Sequence, residues 1–79
     1  MAKVLLFGQL ADLAGWRQRD VAAKSLSELA LVLSQADPAL GEALRGKGVQ
    51  VAVNQTLVRG DMALSADVEV AWLPPMSGG

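Results

Sequence analysis

Apolar residues in this chain come in short runs separated by glycine, proline and polar breaks, and the clearest helical period lies in the middle. Residues 3–8, Lys3-Val4-Leu5-Leu6-Phe7-Gly8, read as a strand closed by glycine. Residues 9–15 fit a short helical turn or loop ending at Gly15. Residues 16–23 are polar first and then apolar, as in a second strand hairpinned to the first. Ser25 followed three residues later by Glu28 is a capping box and predicts a helix start. Leu26, Leu29, Ala30 and Leu33 then fall on one helical stripe. The helix should stop near Asp37-Pro38, because a residue before proline avoids helical angles. Pro38 can open a second short turn with Leu40 and Leu44 facing inward, broken by Gly46 and Gly48.

Residues 49–53 read as a strand, Asn54-Gln55 as a tight turn, and residues 56–58 as a short strand pairing back. Arg59-Gly60-Asp61 is another turn, and residues 67–73 are the last strand. Pro74-Pro75 ends that strand, since neither proline can donate to a ladder and both favour an extended, stiff chain. The order is strand, strand, helix, strand, short strand, strand. It predicts an α+β domain over residues 1–73, with a mixed sheet of about five strands and the main helix across one face. Residues 74–79 form an extended tail. Strand parity places Val4 and Leu6 on one face, with Val68, Val70 and Trp72. Those uncharged faces should meet the helix, Trp72 among the core. Leu5, Phe7, Ala71 and Leu73 then share the other face with Lys3 and Glu69, beside the root of the tail. An exposed apolar group of that size would mark a docking surface.

Composition removes several kinds of chemistry. The chain has no Cys and no His, so it offers no disulfide, no thiolate nucleophile and no imidazole base or ligand. Three Glu and five Asp show no metal-ligand spacing. A net charge of −1 with seven scattered Lys and Arg gives no nucleic-acid footprint and no basic membrane face. The apolar start is too short for a signal peptide or a membrane span, so a cytoplasmic protein is expected. One small domain of 79 residues without these groups is a poor self-contained enzyme.

The chemistry is therefore sought at the end of the chain, Leu73-Pro74-Pro75-Met76-Ser77-Gly78-Gly79. A terminal Gly-Gly can enter a channel too narrow for other residues, and its backbone adopts angles closed to them. The reactive group it would carry is the α-carboxylate of Gly79. Chain ends are also commonly frayed and rich in small residues, and an inert tail has the same composition.

Three segments carry a resemblance that separates these readings. The first is Lys3-Val4-Leu5-Leu6-Phe7-Gly8-Gln9-Leu10 leading to Leu13-Ala14-Gly15; the second is Val53-Asn54-Gln55-Thr56-Leu57-Val58. The third is Glu69-Val70-Ala71-Trp72-Leu73 followed by Pro-Pro-Met-Ser-Gly-Gly at 74–79. With the element order, they make the chain resemble the ubiquitin-like β-grasp family, and within it the sulfur carriers that are small subunits of molybdopterin synthase. Two positions depart from the family pattern. Asp67 stands where a turn glycine is usual, and Asp accepts left-handed angles well enough to keep the turn. Gly8 replaces a commoner alanine, a change expected to matter little.

The resemblance implies a mechanism and partners. A ubiquitin-activating-like enzyme would use Mg-ATP to adenylate Gly79, so no cofactor is expected on this chain itself. A sulfur donor of the rhodanese or cysteine desulfurase type would convert the acyl-adenylate to a thiocarboxylate. The tail would then enter the large, catalytic subunit of the synthase and pass its sulfur to cyclic pyranopterin monophosphate, building the dithiolene of molybdopterin. The family assembly is a heterotetramer, with the catalytic site on the large subunit. Gly78 would permit threading, Met76 and Ser77 would line the channel, and Pro74 and Pro75 would stiffen the base. Phe7, Leu57 and Leu73 are the candidates for docking. Carriers for thiamine thiazole or tRNA thiolation share fold and tail. A protein modifier that conjugates through Gly79 to lysines is a further alternative.

Overall fold

A computed structural model of the chain describes residues 1–75. Five strands and three helices follow one another as β1 Ala2–Leu6, α1 Gly8–Ala14, β2 Gln18–Val21, α2 Leu26–Ala36, α3 Pro38–Leu44, β3 Gln50–Val53, β4 Thr56–Val58 and β5 Glu69–Leu73. They build one sheet in the order β2-β1-β5-β3-β4. β1 and β5, the first and last strands, lie side by side and parallel at its centre, and the other pairs are antiparallel. This is a mixed β-grasp sheet. The two regions expected as turns, residues 9–15 and 38–44, are helices of two turns each.

Local chemistry sets the boundaries. Phe7, still extended, is the N-cap of α1, and the chain turns through Gly8 at φ 54°. The first strand accordingly ends at Leu6, two residues earlier than the apolar run suggests. Gly15 closes α1 in the left-handed region at φ 84°, with its N–H donating to the Ala11 carbonyl. Ser25 caps α2 by accepting from the Glu28 N–H. The Glu28 carboxylate reaches back one residue further than a capping box requires and accepts from the Lys24 N–H. Asp37 ends α2 and caps α3, accepting from the Leu40 N–H while Pro38 occupies the first turn.

Asn54 and Gln55 both have positive φ, 48° and 69°, which is the backbone a two-residue hairpin needs between β3 and β4. Asn54 then extends the β3–β5 ladder: its N–H donates to the Glu69 carbonyl and its Oδ1 accepts from the Glu69 N–H. Asp67 has φ 58° and keeps the left-handed turn without glycine, so β5 begins only at Glu69.

The helix-covered face holds the core. Val4, Leu6, Val68, Val70 and Trp72 are buried in one cluster with Leu26, Leu29 and Leu33 of α2 and with Leu40 and Leu44 of α3. α2 and α3 approach so closely that a Cβ on Gly41 would lie 2.7 Å from the Ser34 Cα.

Candidate functional site

The parallel pairing of β1 with β5 brings Leu5 beside Ala71, and the antiparallel pairing of β3 brings Ala52 to the other side of Ala71. Leu57 of β4 continues the row beyond Ala52. Four strands thus present Leu5, Ala71, Ala52 and Leu57 in one line across the face that carries no helix. At a strand spacing of about 4.8 Å the line runs for roughly 14 Å. Ala71 and Ala52 are only 7% and 8% exposed, yet neither belongs to the core cluster on the helix side. They form the low floor of the face, and the larger side chains around them stand up: Leu57 is 60% exposed and Phe7 45%. Leu73 is half-buried, two residues beyond Ala71 on the same face. By strand parity the structure places the three expected docking residues, Phe7, Leu57 and Leu73, on one side of the sheet. Ala52 belongs with them. The alternation of β3 contains it, but the sequence does not say which strand lies next to β5.

One end of this face is the root of the tail. Because β1 is parallel to β5 and β3 antiparallel, the end of β1 and the start of β3 flank the point where β5 stops. Leu6 pairs with Trp72 and Gln50 with Leu73; continued outward, those registers set Gly8 opposite Pro74 and Gly48 opposite Pro75. A Cβ added to Gly8 would sit 3.1 Å from the Pro74 Cγ, and one added to Gly48 would sit 2.8 Å from the Pro75 Cβ. Both glycines have positive φ, 54° and 85°. This corrects the expectation that glycine at position 8 matters little, since an alanine there would press on Pro74 and strain the backbone as well. Pro74 and Pro75 are half-buried against the domain, and Pro75 also walls a shallow hollow with Leu10, Leu13, Ala43 and Val49. The other expected tail residues, Met76, Ser77, Gly78 and Gly79, lie outside the described residues.

The opposite end of the molecule is closed. The first three N–H groups of α2 are all taken: Leu26 donates to the Met62 carbonyl, Ser27 to the Asp61 carboxylate and Glu28 to the Ser25 hydroxyl. Asp61 also accepts from the Ser27 hydroxyl and the Met62 N–H. These bonds, the Ser27 N–H foremost, hold its carboxyl below the ordinary 3.8. That helix start is filled by the chain itself and has no donor left for an anion. Among the described residues no cluster of three or more His, Cys, Asp or Glu could hold a metal ion, and no helix is long and apolar enough to cross a membrane.

Comparison with known proteins follows the same outline. The profile of the ThiS family matches residues 4–79. The molybdopterin synthase sulfur carrier subunit of Escherichia coli is 40% identical over 82 aligned positions, covering 100% of both chains. The crystal structure of SAMP1 from Haloferax volcanii superposes with a TM-score of 0.81 at 30% identity, covering 99% of this chain and 98% of that one. The solution structure of small archaeal modifier protein 1 from Methanosarcina acetivorans gives a TM-score of 0.86, covering 99% and 95%, and at 24% identity it speaks for the fold.

Proposed function

Because the chain belongs to the ThiS family, we propose that it is the sulfur carrier of a molybdopterin synthase and works through the carboxylate of Gly79. The observation that carries this reading is the end-to-end match to the E. coli sulfur carrier subunit, at 40% identity. The absence of Cys and His from the chain is consistent with it, because a carrier of this kind needs no side-chain nucleophile.

In the proposed cycle an adenylating enzyme joins the Gly79 carboxylate to the α-phosphate of Mg-ATP and releases pyrophosphate. A free carboxylate resists nucleophiles, whereas the acyl-adenylate has a good leaving group. A persulfide on the donor protein displaces AMP to form an acyl disulfide with Gly79. A thiol then attacks the donor-side sulfur, forming a disulfide with the donor and leaving a thiocarboxylate on Gly79. That group is an anion at neutral pH and a competent nucleophile, as a low-pKa cysteine is. The open face, with Phe7, Leu57 and Leu73 around the Ala52–Ala71 floor, docks on the large subunit, and the tail enters its catalytic site. Lys or Arg there would hold the anionic end. The sulfur then passes to cyclic pyranopterin monophosphate.

The test is the mass of the C-terminal peptide after incubation with Mg-ATP, the cognate adenylating enzyme and a sulfur donor. Fragmentation must locate the change, because oxidation of Met62 or Met76 nearly matches the mass of an oxygen-to-sulfur exchange. Sulfur on Gly79 is expected, and the charged protein should then convert the pterin precursor when the large subunit is added. No change at Gly79 with a verified enzyme would end the carrier reading.

The likeness to SAMP1 at 30% identity favours a second reading, conjugation of Gly79 to lysines of other proteins. Both readings share the adenylation step. A ladder of Gly79 adducts in extract that disappears on truncation of the terminal glycine would reveal it.

A further inference from the structure

We propose that Gly8 and Gly48 are positioning residues for the tail: together they form a slot, one side chain too narrow for anything larger, that fixes where β5 leaves the sheet and in which direction. The inference rests on the carrier reading for its functional consequence and on geometry for the slot itself. β5 is flanked on both sides, so the chain leaving it must pass between its two neighbours. At that level each neighbour offers a glycine, and each glycine faces one proline at a distance a Cβ would violate or crowd, 3.1 Å to Pro74 and 2.8 Å to Pro75. Real Cβ atoms are essentially never found closer than 3.0 Å to a non-bonded heavy atom. The prolines cannot donate ladder hydrogen bonds, so pairing alone holds them less firmly than the residues before them. Contact with the two glycines adds to the hold. A tail launched from a fixed point spends less freedom on reaching a narrow channel than one launched from a loose hinge.

The protein contains its own controls. Gly15 and Gly60 also have positive φ, 84° and 76°, but a Cβ on either would meet nothing within 4 Å. Alanine at any of the four sites strains the backbone; only Gly8→Ala and Gly48→Ala would also push a proline. The experiment measures urea denaturation and the kcat and KM of pyrophosphate exchange, with the full chain as substrate of its cognate adenylating enzyme. All four variants should lose stability to backbone strain, and Gly48→Ala more than Gly15→Ala or Gly60→Ala because its methyl also meets a proline. Gly48→Ala should lower kcat by about tenfold to a hundredfold while KM moves little, the signature of a misplaced reacting group. Gly8→Ala, whose methyl meets only the far end of the Pro74 ring at 3.1 Å, should lower it less. In a Pro75→Gly background, which removes the atom that the new methyl would strike, Gly48→Ala should cost no more than Gly15→Ala. Equal kcat values among the four alanine variants would overturn the positioning role.

Proton NMR reads the slot without the enzyme. Nuclear Overhauser contacts between Gly48 Hα and Pro75 Hβ, and between Gly8 Hα and the Pro74 ring, are expected in the wild-type chain. Their absence would overturn the inference even if the protein is a carrier. Conversely, a wild-type chain that is never adenylated but shows these contacts would sink the carrier reading and leave the slot standing.

Discussion

One face of the sheet carries Val4, Leu6, Val70 and Trp72 beneath α2 and α3; the other carries Leu5, Ala71, Ala52 and Leu57 with no helix over them. Residue type barely separates the two, since both are largely aliphatic. Shape and cover separate them. The covered face interlocks large side chains to full burial, and a domain of this size, which buries only about 60% of its unfolded surface, depends on it. The open face sets two alanines at its centre and leaves leucines and a phenylalanine standing at the edges, a flat-bottomed surface that another protein can seat against. If the open face is the docking surface, stability and recognition fall on opposite sides of one sheet, and substitutions on the two sides should have different readouts.

The largest effect belongs to the covered face. Leu29 is fully buried on α2 beneath the sheet. Leu29→Ala removes packing and leaves a cavity, and should cost about 2–5 kcal/mol in urea denaturation. In a chain with a thin core that is much of the total, and partner binding should fail with folding. A loss below about 1 kcal/mol would show that the helix layer repacks freely.

Next in size is Gly41→Ala, which tests how tightly that layer is built. The added methyl would meet the Ser34 backbone at 2.7 Å, which no side-chain rotation relieves. Separating α2 from α3 should cost about 1–3 kcal/mol by the same measurement. Alanine is otherwise the better helix former, so a stabilised variant would refute the close approach.

Asp61 gives a smaller effect with a sign that can be worked out. Its carboxyl is held below the ordinary 3.8 by hydrogen bonds, chiefly from the Ser27 N–H. A group with a lowered folded pKa binds its proton less readily folded than unfolded. Its contribution is therefore present above 3.8 and is lost as pH falls through the still lower folded value. The difference in stability between the wild type and Asp61→Asn should be positive at neutral pH and shrink well below 3.8. A difference that stays constant with pH would mean that the charge itself does nothing there.

How much of this the sequence discloses follows the range of each interaction. The cap at Ser25, the helix stop at Asp37-Pro38, the Asn54-Gln55 turn and the left-handed Asp67 are settled within three or four residues, so they are readable from the chain. Strand parity separates Leu5 from Val4 for the same reason. Strand order is different: nothing near Ala52 says that it lies beside Ala71, and the floor of the open face appears only once β3 is placed next to β5. The slot at the tail root is the extreme case. In the sequence Gly8 reads as interchangeable with alanine, because its neighbour in space, Pro74, is at the other end of the chain.

The smallest expected change in stability is on the open face, and it is the sharpest test of the division. Leu57 is 60% exposed on the edge strand, at the end of the row that begins with Leu5. Leu57→Ser removes apolar surface that is already in water, so folding stability should stay within about 0.5 kcal/mol of wild type. If this face docks on the large subunit, the same substitution removes a side chain that becomes buried only in the complex. Affinity for that subunit, measured by calorimetry, should then fall by about tenfold or more, since burying a leucine contributes roughly 1.5–3 kcal/mol. Pyrophosphate exchange should separate this from damage to the tail: kcat should hold, because Leu57 lies on β4, away from the Gly8–Gly48 slot. Unchanged affinity would move the interface off β4 toward Phe7 and Leu73. An equal loss of stability and affinity would mean that the open face holds the fold together as well, and that the two sides of the sheet are not divided in their work.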